Sequence, residues 1–306
     1  MRRLARLTAL LLFLAPAAHA APQVVASIHP VHSLVSGVME GVGAPLLLVR
    51  GAASPHDYAL KPSDAKALAN ADAVFWIGPQ LEAFLVKPLR TAKKGAAVAA
   101  LAKAPGIALK ENREGGAWET HGQGHGKAAK HDEDETDMHV WLDPVNAQAM
   151  VALIVETLAA KDPPNAAAYR ANGAKVGARL AALNTDLTAK LKPVAGVPYV
   201  VFHDAYQYFD TRYGLNAIGS VTVSPERQPS AARLRAIRAK IVSLKARCVF
   251  GEPQIKPSVL AAVMEGLEVK TAVLDPLEQG PNPGPDAYFA GMERLADAHV
   301  ACLGTK

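Results

Sequence analysis

Three histidines and one aspartate, each placed just past an apolar run or at the edge of a loop, could together hold a divalent metal ion. His56 follows Leu46–Val49 in the stretch GAASPHDYALKPSD, and His139 opens HVWLDP. His203 follows PYVVF in VVFHDAYQYF, and Asp275 follows VKTAVL in VLDPLEQGPNP. Neutral imidazole nitrogen and carboxylate oxygen both bind zinc at about 2.0–2.2 Å, usually in a tetrahedron. Three nitrogens with one oxygen suit that borderline ion, whereas a second carboxylate would favour manganese, so the histidine at position 203 discriminates between them. Singly, each residue has a plainer reading. A histidine after a strand is commonly a hydrogen-bonded structural residue, Asp275 before Pro276 can cap a turn, and His203-Asp204 can cap the next helix. Their recurrence at equivalent points of the chain favours a shared site.

The elements that would position them are legible as alternating patterns. Gln23–Ser27, Pro45–Val49 and Ala73–Ile77 are short continuous apolar runs, as buried parallel strands are. Helical patterns lie between them, from Pro30 to Met39 and from Pro62 to Ala71. The pattern returns with strand-like Val197–Phe202, Ala217–Val221, Cys248–Phe250 and Val269–Leu274, and helix-like Arg233–Leu244 and Ser258–Gly266. The alternation predicts an α/β fold of two doubly wound lobes with parallel sheets. Ligands of such sheets bind beyond the carboxyl ends of the strands, so two of the four side chains would come from each lobe into one crevice. Between the lobes, Pro163 to Lys192 has almost no strand signal and ends at Pro193. About 28 helical residues would reach about 40 Å, giving one long rigid linking helix. The expected organisation is a signal peptide at 1–20, an N-terminal lobe at 21–161, the helix at 162–193 and a C-terminal lobe at 194–306. Residues 108–138 are polar and Gly-rich without a period, and no fixed structure is expected there.

The first residues set the compartment. Arg2, Arg3 and Arg6 precede the apolar run Leu7–Leu14, and Ala18-His19-Ala20 offers a small-x-small cleavage site. No run approaches the roughly 20 apolar residues of a spanning helix, so an exported, soluble chain is expected. Removing the leader lowers the basic count from 33 to 30 against 28 acidic residues, and the formal charge from +5 to +2. No basic stripe with interleaved aromatics argues for nucleic acid. Cys248 and Cys302, the two cysteines of an exported chain, predict a disulfide. His121, His125 and His131 lie in the polar loop. One reading makes them an auxiliary set that collects metal and passes it inward; the other is a solvated loop that binds metal weakly, because ordering it offsets the gain. They are not placed in the primary site. His29 and His32 read as helix-start packing, and His299 as a surface residue.

The segments ASPHDYALKPSD, ADAVFWIGPQLE, DMHVWLDP, YVVFHDAYQYF, CVFGEPQIKPSV and VLDPL, in this order, cover nearly all of the mature chain. Together they resemble the periplasmic zinc-binding components of ABC importers, the ZnuA-like branch of the metal-specific solute-binding proteins. The resemblance implies zinc held between two α/β lobes as transported cargo, with His56, His139 and His203 as its ligands. Asp275 stands where manganese-binding relatives supply an oxygen. Some zinc-binding relatives carry Glu just before the first histidine; here that residue is Pro55, so Asp275 or a water must fill the fourth place. Some zinc-binding members also share the Cys248–Cys302 bridge. The implied partners are the membrane permease of an ABC importer and a periplasmic zinc chaperone, for a monomer that is not an enzyme. Three alternatives remain: manganese or iron(II) import, a secreted zinc buffer with no permease partner, and a secreted zinc hydrolase, since three histidines plus water are also a catalytic pattern. Against the hydrolase, the sequence has no H-E-x-x-H helix.

Overall fold

A computed structural model describes residues 20–51, 53–113, 118, 136–222, 229–255, 257–277, 280 and 283–304. The first half runs β1 (Val24–Ala26), α1 (His29–Val38), β2 (Leu46–Leu47), α2 (Pro62–Asn70), β3 (Ala73–Trp76), α3 (Val86–Leu89) and β4 (Ala97–Ala100). These strands form one parallel sheet in the order β2-β1-β3-β4. Every residue of β1 and β3 is buried, which explains their continuous apolar sequence.

Next come β5 (Lys110–Glu111) and β6 (Thr136–Asp137), an antiparallel pair, then α4 (Pro144–Lys161) and α5 (Ala166–Leu191). The stretch 108–138 therefore has fixed structure at both ends, contrary to expectation. A two-residue pairing carries too little pattern to be seen in sequence; Tyr208, far along the chain, holds it through hydrogen bonds to both strands. The loop histidines His121, His125 and His131 lie outside the described residues, as does the expected cleavage site around Ala18 and His19.

The long helix is α5, 26 residues and about 39 Å at 1.5 Å per residue. Its buried residues Tyr169, Val176, Leu180, Leu183, Leu187 and Leu191 recur at intervals that make one face. That face packs on α1 and α4 of the first half and on the C-terminal helix described next. At Gly173 a Cβ would stand 2.3 Å from Val155 Cγ2, so glycine is what lets α5 approach α4 so closely.

The second half contains β7 (Pro198–His203), α6 (Gln207–Tyr213), β8 (Asn216–Thr222), α7 (Ala231–Ser243), β9 (Cys248–Gly251), α8 (Pro257–Met264), β10 (Lys270–Val273) and α9 (Ala287–Leu303). Its sheet is parallel with the order β10-β9-β7-β8. In both sheets the first strand lies between the second and the third, so each half has its switch point there. Cys248 and Cys302 are bonded, tying β9 to α9, with their Cα atoms 6.0 Å apart.

One histidine departs from expectation. His299 is not on the surface but fully buried, with its ring centroid 5.3, 5.4 and 4.9 Å from those of Tyr199, Phe209 and Phe250. The spacing of Leu295, His299 and Cys302 puts it on the buried stripe of α9. Burial lowers its pKa to about 4, partly opposed by the bond from Nδ1 to the Leu295 carbonyl at 2.7 Å.

Candidate metal centre

Each clustered histidine is delivered by a different local device. His56 lies in the 3-10 turn Pro55–Asp57, where Ser54 Oγ accepts from its N–H at 3.2 Å. His139 comes two residues after Asp137, and Asp137 Oδ1 both accepts from the His139 backbone N–H at 2.9 Å and contacts ring Nδ1 at 2.8 Å. Directly after it, Val140–Leu142 is fully buried, and α4 starts at Pro144 with Asp143 capping Val145 N–H. Trp141 reaches the other half of the chain, donating from Nε1 to the Pro276 carbonyl at 2.8 Å, and Tyr288 donates to the Trp141 carbonyl at 2.7 Å. His203 is the last residue of β7 and buried.

These three histidines, distant in sequence, form one cluster. Their ring centroids are 5.0, 5.2 and 5.4 Å apart in pairs. One candidate ligand atom from each lies within 4.8 Å of the others. A tetrahedral zinc ion with bonds of about 2.0–2.1 Å spaces its nitrogens about 3.3 Å apart. The side chains would therefore have to draw in by at most roughly 1.5 Å. His56, His139 and His203 share a cavity wall with Trp141, Glu252 and Pro276.

Two carboxylates behind the cluster were not read from the sequence. Besides Asp137 on His139, Glu252 Oε2 is 3.4 Å from His203 Nδ1, and Tyr206 donates to Glu252 Oε1 at 3.2 Å. A carboxylate on Nδ1 keeps the proton there and leaves the Nε2 lone pair for a metal, while raising ligand basicity. Both acids are buried and would counter the two charges of a divalent cation. A signal for Glu252 existed: it follows β9 just as His203 ends β7, and these neighbours flank the switch point. Glu252→Gln is expected to weaken zinc binding about 10–100-fold. A chelator competition titration checks this, and parental affinity would show that His203 is oriented without the carboxylate.

Asp275 is not one of the three clustered residues. It sits on the turn after β10, where its Oδ1 accepts from Leu277 N–H at 3.1 Å and lies 3.5 Å from Gln254 Nε2. Its charge also reaches His29, whose pKa burial lowers and Asp275 partly restores. His29 and His32 are buried at the start of α1, with His32 Nε2 3.1 Å from the Pro45 carbonyl.

Comparison with known proteins bears on this centre. Residues 24–302 match the family described as ZnuA, zinc-uptake complex component A, periplasmic. The high-affinity zinc uptake system protein ZnuA of Brucella abortus (strain 2308) is 45% identical, the match covering 92% of this chain and 91% of that protein. Its namesake in Yersinia pestis is 38% identical, over 98% of this chain and 96% of that protein. Among solved structures, a crystal structure of ZnuA superposes with a TM-score of 0.78 at 26% identity, covering 93% of this chain and 100% of that one. A ZnuA deletion mutant with zinc bound gives 0.75 at 25% identity, covering 94% and 99%.

Proposed function

We propose, on the premise that the chain belongs to the ZnuA family of periplasmic zinc-uptake components, that it captures Zn(II) at the three-histidine cluster and hands it to the permease of an ABC importer. Zinc uptake is the work of this family, and the ion is cargo rather than a resident cofactor. The carrying observation is the convergence of His56, His139 and His203 within 4.8 Å, from turns and strand ends in both halves of the chain. In this reading those histidines are the ligands, and Asp275 or a water completes the tetrahedron. Residues 21–161 and 194–306 act as two lobes about the ion, with 162–193 joining them. The chain works in the periplasm, as a monomer, after removal of residues 1–20. No helix among the described residues is long and apolar enough to cross a membrane. The site binds and releases an ion without transforming it. Residues 121, 125 and 131 would collect zinc for the centre, and a periplasmic zinc chaperone would be a second partner.

The test is metal retention. The chain lacking residues 1–20 should, after stripping and dialysis against equal zinc and manganese, hold one zinc per molecule by elemental analysis. Manganese in its place would overturn the reading.

A further inference from the structure

The stem of the polar loop links the two sides of the metal centre. β5 and β6 pair with Lys110 opposite Asp137 and Glu111 opposite Thr136. Tyr208 of α6 binds both strands: its hydroxyl accepts from Lys110 N–H at 3.0 Å and donates to the Asp137 carbonyl at 2.7 Å. Asp137 is the residue that holds His139.

Two residues beyond β5, Arg113 reaches the opposite side. Its Nε donates to Asp204 Oδ1 at 2.9 Å, its Nη2 also donates to Asp204, and its Nη1 donates to Asp210 Oδ2 at 2.8 Å. Asp204 directly follows His203, and Asp210 in turn accepts from Tyr199 of β7. Arg113 Cζ also stands 3.9 Å from the centroid of the Trp118 ring. The arginine side chain is 15% exposed and its two carboxylate partners 7% and 6%. Charges this buried persist only with well-formed geometry. A guanidinium holds its donors in one rigid plane that fixes two carboxylates relative to each other, which the point charge of an ammonium does less directionally.

We propose that Arg113 is a positioning residue of the zinc site: by gripping Asp204 and Asp210 it fixes His203 to the hairpin stem that carries His139, and so sets how long a bound zinc ion is retained. The proposal rests on the reading of these histidines as zinc ligands. Without the grip, the ion would be held by two groups whose separation fluctuates, so dissociation changes more than association.

Zinc-loaded parent, Arg113→Lys, Arg113→Met and the triple variant R113M/D204N/D210N are mixed with excess chelator, and zinc release is followed by stopped flow. The triple variant removes the buried unpaired charges and so guards against misfolding of the single one. Arg113→Met and the triple variant are expected to release zinc about 10-fold faster or more, with association within about 3-fold of the parent. Arg113→Lys should also release faster than the parent, since it keeps the charge but not the fork. A folded triple variant that releases zinc at the parental rate overturns the proposal, as does a change confined to the unfolding midpoint of the metal-free protein. If His203→Ala abolishes retention while all the Arg113 variants behave as the parent, only this proposal fails. If the parent itself retains no zinc, the functional reading fails with it.

Discussion

His203→Ala should weaken zinc binding by roughly two to three orders of magnitude. Structural zinc sites are worth roughly 10–16 kcal/mol, so one ligand of four carries about 2.5–4 kcal/mol, or about 70- to 900-fold in affinity. A water could take the vacated position, but it would bring none of the orientation that Glu252 gives the imidazole. The substitution also leaves the buried Glu252 carboxylate with Tyr206 but without its histidine, so the metal-free protein should lose stability as well. Chelator competition measures the affinity, and denaturant unfolding of the metal-free protein separates the two effects. Parental affinity in a folded His203→Ala protein would mean that zinc binds elsewhere.

The second large effect is acid destabilisation through His299. An ordinary histidine titrates near 6.5, whereas burial among Tyr199, Phe209 and Phe250 lowers His299 to about 4. The folded state thus prefers the neutral ring. Its contribution is complete above pH 6.5 and shrinks as pH falls, by about 3 kcal/mol once both forms are protonated below pH 4. Two buried carboxylates oppose this trend. Burial raises Glu82 to about 7, and it raises Asp210 to about 6 despite Arg113. These groups bind protons more readily in the folded state, so they gain stability as pH falls. Comparing the parent with His299→Phe at each pH cancels their contribution. The difference in unfolding free energy between the two proteins should change by about 3 kcal/mol between pH 7 and pH 4. Parallel curves would show that the ring is charged, or reaches water, in the folded protein.

Much of the fold was legible because its signals are local. Continuous apolar runs marked β1, β3, β7 and β9, and an Ala- and Leu-rich stretch between prolines marked α5. The histidines were visible for a related reason, since His56 and His203 follow strand-like runs and His139 opens a distinctive apolar segment. Other elements were missed. β4, with sequence AVAA, is half-exposed and weakly apolar, and β5 and β6 are two residues each. The burial of His299 could have been found, because Leu295, His299 and Cys302 share one helical stripe, but only after α9 itself was recognised.

By itself, the sequence determined the α/β class, the long helix, the pairing of its two cysteines and the three histidines that cluster. Each of these is written in a periodic pattern, a residue count or a position beside an apolar run. Only the tertiary structure decided what stands behind those histidines. Glu252 reaches His203 from 49 residues away because β9 lies beside β7, and Arg113 reaches Asp204 across 91 residues because the loop stem crosses to α6. The physical reason is that strand order and the docking of one half on the other are set by packing over the whole core. A local stretch records which face of an element is buried, but not which neighbour buries it.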